Sequence, residues 1–131
     1  MKKLIVLTMM LLGAMTSVMA QKPAEMKFDE ATHDFGTFTE KDAIQSYTFT
    51  FQNVGESPLI INQAIASCGC TEPDYPKTPI QPGEKGKIKV TYNGVGKPFA
   101  HFRKWVNFRT NGNPENVRII IEGTMVEDKK E

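Results

Sequence analysis

Beyond its first twenty residues the chain alternates hydrophobic and polar positions with a period of two, the pattern of a strand with one buried face. Tyr47, Phe49 and Phe51 point one way and Thr48, Thr50 and Gln52 the other. Ile88, Val90 and Tyr92 alternate with Lys87, Lys89 and Thr91. Phe102, Lys104, Val106, Phe108 and Thr110 oppose Arg103, Trp105, Asn107 and Arg109, and Val117, Ile119 and Ile121 oppose Arg118, Ile120 and Glu122. Three weaker strands are predicted at residues 27–29, at 32–35, and in an apolar run at 59–66 that reads as buried on both faces.

Closely spaced turn signals separate these runs: Asn53-Val54-Gly55, Pro82-Gly83-Glu84, Asn93-Gly94 and Asn111-Gly112-Asn113-Pro114. Short alternating strands punctuated in this way predict an all-β antiparallel sandwich or barrel. No segment keeps a 3.6-residue period with caps, so little helix is expected. About seven strands in roughly 100 residues is the immunoglobulin-like pattern, which favours a single antiparallel β-sandwich over a closed barrel. The domain is expected at 21–126, with 127–131 as a solvated charged tail. The two cysteines, Cys68 and Cys70, lie too close together to bridge two sheets as antibody cysteines do.

Residues 1–20 read as a signal peptide. Lys2 and Lys3 form a basic start, residues 4–12 an apolar run, and Val18-Met19-Ala20 a small-residue cleavage site before Gln21. The tract is broken by Thr8, Gly13, Thr16 and Ser17 and falls short of the roughly 20 apolar residues of a membrane span. No cysteine near the cleavage site offers a lipid anchor. The expected location is secreted or periplasmic, with no stable membrane span after cleavage. Cleavage would remove two of the 16 basic side chains against 15 acidic ones, taking the formal charge from +1 to about −1. That balance argues against nucleic-acid binding, which relies on cations neutralising phosphates. It would also remove five of the seven methionines, so no methionine-based metal tract survives. In an oxidising compartment Cys68 and Cys70 are expected to pair, each with its nearest partner, the other.

His33-Asp34-Phe35-Gly36, Phe49-Thr50-Phe51-Gln52-Asn53-Val54-Gly55, Pro58-Leu59-Ile60-Ile61, Ser67-Cys68-Gly69-Cys70-Thr71 and Pro79-Ile80-Gln81-Pro82-Gly83-Glu84 occur in this order. The set resembles the bacterial family called domain of unknown function 1573 over nearly the whole chain after residue 20. It is similar in turn to the immunoglobulin-like domains of abnormal-spindle, major-sperm-protein and Hydin-type proteins. The resemblance implies an exported immunoglobulin-like sandwich with no catalytic activity to carry over, in a wider group known mostly for protein binding. As a fold-level analogy it is a weak warrant for function.

Several of these residues have structural readings. Gly36 and Gly55 end strands and are expected to supply a positive φ or a close backbone approach. Pro82-Gly83 suits the centre of a type II turn, and Asn53 suits a side chain bonding backbone at a strand end. His33 and Asp34 look like a dyad, but neighbours on a strand point to opposite faces; Asp34 is expected to cap the turn at Gly36. Trp105 is either outward, stacked under an arginine as a partner-binding patch, or the core tryptophan with the register reversed. Residues 93–100 read as a flexible hairpin loop with Phe99 as a contact. Gly94-Val95-Gly96 lacks the third glycine and following helix of a nucleotide cradle.

Three readings compete for the cysteine pair. A disulfide across Gly69 would close a three-residue loop worth only about 1.6 kcal/mol of chain entropy. Two thiolates could hold Cu(I), although a structural zinc wants four ligands and only His33 and His101 add nitrogen. A thiol-disulfide exchange site usually spaces its cysteines by two residues at a helix N-terminus, which is absent here, and Lys77 is the nearest base in sequence. The function expected is a non-enzymatic module binding a protein or cell-envelope component, without cofactor or metal. Ser67, Gly69, Thr71, Phe99 and Trp105 are its candidate surface, and a thiol-redox or copper role for Cys68 and Cys70 is the alternative.

Overall fold

The computed structural model describes residues 21–129, so the predicted signal peptide at 1–20 and the last two residues of the predicted tail lie outside the described residues. Eight strands follow in order: β1 (Met26–Phe28), β2 (Thr32–Thr39), β3 (Ile44–Asn53), β4 (Ile61–Ala66), β5 (Thr71–Asp74), β6 (Lys85–Asn93), β7 (His101–Thr110) and β8 (Asn116–Val126). Among the described residues the only helical element is a 3-10 turn at Glu40–Asp42. The strands form two four-stranded sheets, β1-β3-β6-β5 and β2-β8-β7-β4. This is the expected immunoglobulin-like sandwich.

The period-two faces meet in the middle. Phe49, Phe51, Ile88, Val90 and Tyr92 from one sheet and Phe102, Val106, Phe108, Ile119 and Ile121 from the other are all buried. Each such side chain contributes about 1.5–3 kcal/mol on leaving water. Tyr92 and Phe102 stack across the sheets with centroids 3.9 Å apart.

Five features differ from the sequence reading. The sandwich is not wholly antiparallel, because β2 pairs with β8 in parallel. The N-terminal run begins antiparallel to β3 as β1, crosses at residues 29–31 and continues in the same direction as β2. That direction is also the direction of β8. The seven strands of the sequence reading counted β1 and β2 separately and lacked β5, so the structure has eight. The run at 59–66 is not buried on both faces: it ends in edge strand β4, leaving Ile60 and Ile65 exposed at 40% and 44%. β5 had no alternation to reveal it, being a short edge strand that accommodates Pro73. Residues 93–100 are not a hairpin loop, since β6 and β7 belong to different sheets and the segment crosses between them. Finally, Asp128 in the expected solvated tail pairs with Lys41 at 3.0 Å.

One end of the sandwich is closed by Asn53, which is fully buried at the end of β3. Its amide nitrogen donates to the carbonyls of Ser57 at 2.8 Å and Ile80 at 2.9 Å. Its side-chain oxygen accepts from the backbone N–H of Gly55 at 3.0 Å and of Glu25 at 3.2 Å. Gly55 must lack a side chain here, because a Cβ would run into the Pro23 carbonyl and lie 2.7 Å from Ala24 Cα. Gly83 takes the positive φ of 83° expected of the type II turn, closed by Glu84 N–H donating to the Gln81 carbonyl at 2.9 Å.

Asn53→Ala leaves two backbone donors and two carbonyls in this closed end without their side-chain partner. It is expected to lower the unfolding free energy by about 3 kcal/mol, read from the shift of a chemical denaturation midpoint at unchanged slope.

Candidate functional site

At the opposite end β2, β4, β6 and β8 finish and β3, β5 and β7 begin. Three connections therefore cross between sheets at this pole: residues 40–43, the cysteine loop at 67–70, and residues 94–100. The cysteine loop leaves β4 bonded like a strand, with Ser67 N–H donating to the Trp105 carbonyl at 2.9 Å and Trp105 N–H donating to Ser67 Oγ at 3.0 Å. It enters β5 with Asn93 N–H donating to the Cys70 carbonyl at 2.8 Å and Thr71 N–H donating to the Cys68 carbonyl at 3.2 Å.

Cys68 and Cys70 are bonded to each other with Cα atoms 5.2 Å apart. The Cys70 N–H also points at Cys68 Sγ, 3.0 Å away. Cys70 is buried, 8% exposed, while Cys68 is half-buried against the core. Gly69 is exposed, has no positive φ and has open space where a Cβ would sit, so neither glycine freedom is needed for this ring. Thr71, expected on the binding surface, is instead buried beneath the loop.

The remaining candidates fall on two surfaces. Trp105 faces outward and is half-buried, because Phe102, Val106 and Phe108 take the core side of β7. The arginine over its ring is Arg118 of β8, 4.2 Å from the centroid. Arg103 and Arg109 are engaged by Glu122 at 3.0 Å and Glu115 at 2.8 Å. Trp105 and Ser67 thus belong to the outer face of a sheet. Phe99 sits on the pole itself, 50% exposed, with Val95 at 67%. Sequence reasoning passed over Val95, Ile44 and Val126, which are exposed on the same pole. Their signal was an apolar residue at a strand end or in a loop, where no core face calls for one. A pocket of about 240 Å³ lies among them, lined by the apolar side chains of Ala43, Val95, Phe99 and Met125 and by Glu40 and Lys97 at its polar edge.

Residues 26–125 match the family described as Protein of unknown function (DUF1573). The chain belongs to this family. The DUF1573 chain is similar in fold to a protein of unknown function from Porphyromonas gingivalis W83, at TM-score 0.70 and 15% identity over 85% of this chain and 51% of that one. It thus spans about half the length of that protein. It is also similar to an ASH/PapD-like domain of human CEP192, at TM-score 0.66 and 9% identity over 90% of this chain and 97% of that one. The periplasmic chaperone SfaE matches at TM-score 0.55 and 9% identity, over 80% and 59%. No curated protein matches the chain. Identities this low establish a shared fold and nothing about chemistry.

The other sequence candidates of the DUF1573 chain are engaged elsewhere. Lys77 lies over the ring of Tyr75, 3.1 Å from its centroid. His101 Nδ1 is 3.1 Å from Thr124 Oγ1. Among the described residues no group of three or more His, Cys, Asp or Glu side chains is placed to hold a metal ion. His33 and Asp34 do not form a dyad: Asp34 Oδ1 accepts from the Gly36 N–H at 2.7 Å, while His33 stacks on Tyr47 across the two sheets at 3.6 Å. Gly36 has the expected positive φ, 70°, but it does not end a strand: it lies inside β2, at the irregularity between Asp34 and Thr37 where the pairing with β8 shifts register. Burial against Tyr47 and Phe35 lowers the His33 pKa, outweighing the opposing pull of Asp34 and Glu30.

Two predictions follow from this geometry. A depressed imidazole pKa means the unfolded state takes up the proton first. The His33 contribution to stability is therefore full above about pH 6.5 and is lost as pH falls below it. Unfolding midpoints at pH 7.5 and 5.0 are expected to differ less in His33→Phe than in the wild type. For the cysteine ring, reduction of the intact chain is expected to cost no more than about 1.6 kcal/mol of stability. Denaturation with and without reductant, with thiol labelling as the control for reduction, checks this, and a loss twice as large would show that the ring holds more than its own loop.

Proposed function

We propose that this chain is an exported, non-catalytic module that binds a protein of the cell envelope through the pole carrying residues 94–100, with the Cys68–Cys70 ring shaping the loop beside it. One observation carries the reading: Ile44, Val95, Phe99 and Val126, four of the seven large hydrophobic residues left exposed among the described residues, gather on this pole. Ile44 begins β3 opposite Asn93, and Val126 ends β8 opposite Thr39, so strand register brings them beside the crossing loop. Exposed apolar side chains on a rigid scaffold are the usual makings of a contact surface. Export is supported by the basic, apolar and small-residue pattern of residues 1–20 and by the bonded cysteines. The fold is shared with an ASH/PapD-like domain and a periplasmic chaperone and equally with the secreted serine protease VesC and the VesB protease of Vibrio cholerae, so it is the exposed apolar pole, more than the fold, that supports binding.

The test is co-purification from an envelope extract with the wild type, with Val95→Ser/Phe99→Ser, and with Cys68→Ser/Cys70→Ser. Truncating two central contact residues is expected to cost about 2 kcal/mol of binding, roughly thirtyfold in affinity. The thermal midpoint should barely move, because both side chains already face water. Equal recovery of the same partner by the Val95/Phe99 variant would sink the proposal. Loss with the cysteine variant alone would move the contact to the Cys68–Cys70 loop.

A further inference from the structure

A second pocket, of about 280 Å³, adjoins the apolar one. Its floor is the stacked pair Tyr92 and Phe102, and its walls include Lys97, His101, Arg103 and Lys104. No carboxylate is among its lining residues. Glu122 bonds Arg103 at 3.0 Å and approaches His101 at 3.9 Å, partly neutralising that wall. Lys97 and Lys104 have no ion-pair partner among the described residues.

Lys104 is the informative one. Along β7 it occupies the core-facing series, between buried Phe102 and buried Val106, and it is half-buried. Its alkyl stem can lie against the apolar series while its charged head reaches the pocket, a task for which leucine or valine would have no group. Tyr92, on the lining of this pocket, pairs with Thr71, the residue that follows the cysteine ring, so the ring enters the sheet beside the strand that carries the pocket floor. Lys97 lines this pocket and the apolar pocket of Val95 and Phe99 alike.

Resting on the binding role of this pole, we propose that the pocket takes the carboxylate of an acidic side chain on the protein partner, whose neighbouring bulky apolar side chain occupies the Val95–Phe99 pocket. The partner segment is then recognised as an aspartate or glutamate next to a large hydrophobic residue. Lys97 and Lys104 supply the uncompensated charge, and Lys97 sets the join between the two halves. A free phosphate would meet the cations but leave the apolar half unused, which is why a peptide fits this surface better than a simple anion.

The test titrates the full chain, oxidised, with a blocked peptide containing Leu-Phe-Glu-Glu, with its Leu-Phe-Gln-Gln counterpart and with inorganic phosphate, following the backbone amide signals of residues 92–104. The glutamate peptide is expected to bind about tenfold more tightly than the glutamine one. That advantage should shrink at 0.5 M salt, where the screening length falls well below its value of about 8 Å at physiological strength. It should disappear in Lys97→Gln/Lys104→Gln, and fall part-way in Lys97→Gln alone, a change on an exposed loop that leaves the core-facing position untouched. Equal affinity for the two peptides, no binding of either, or phosphate binding as tightly as the glutamate peptide would each overturn the proposal. In the co-purification experiment, loss of partner with Val95→Ser/Phe99→Ser but not with Lys97→Gln/Lys104→Gln would leave the pole standing and remove the carboxylate pocket. Unchanged recovery with both variants would remove both.

Discussion

The arrangement hangs on the buried amide of Asn53. A sandwich whose first strand begins on one sheet and ends on the other must hold that strand where it enters, and three residues of β1 offer little ladder for the purpose. Asn53 takes the task with both ends of its amide, joining the segment before β1, the turn after β3 and the chain near Ile80. Backbone bonds reinforce the same junction, with Val54 N–H donating to the Glu25 carbonyl at 2.9 Å and Gly83 N–H to the Asn53 carbonyl at 2.8 Å. A buried amide satisfied at every position is worth more as a fastener than any apolar residue of its size, because its loss strands several polar groups at once.

With one pole sealed by polar bonds, the other is free to vary. There the connections carry exposed apolar residues and Lys97, which has no ion-pair partner among the described residues, and the closure beneath them is made by the Tyr92 and Phe102 rings. This division explains how a chain of small core can afford a bonded cysteine ring that adds little to global stability: the ring acts on one crossing, while the fold is held from the far end.

The alternating strands β3, β6, β7 and β8 were legible because each has one wet and one dry face, and that contrast is written directly in residue order. Gly36, Gly83 and the bond of Asn53 to Gly55 were legible because they are local, set within two or three residues, whereas the bonds of Asn53 to Glu25 and Ile80 span 28 and 27 residues and left no mark in residue order. The strand β5 was not, since an edge strand carrying Pro73 has little apolar face to display. The parallel pairing of β2 and β8 joins residues more than eighty positions apart, and alternation says nothing about which neighbour a strand chooses. The register of Trp105 was open until the burial of Phe102, Val106 and Phe108 fixed the inner side of β7. The cationic pocket had one visible sign, Lys104 in an otherwise apolar series, but its meaning depended on residues 94–100 crossing between sheets and bringing Lys97 beside it.

The change of sheets between β1 and β2 also has a mechanical side. Residues 21–25 enter at the Asn53 pole and β8 leaves at the other, so tension along the chain pulls β2 and β8 in opposite directions along their common axis. Their hydrogen bonds lie across that direction and are strained together, like the teeth of two combs drawn past each other, where a hairpin would open one bond at a time. Strand direction at a single edge thus sets this small sandwich to meet a pull on its two ends in shear, not by peeling.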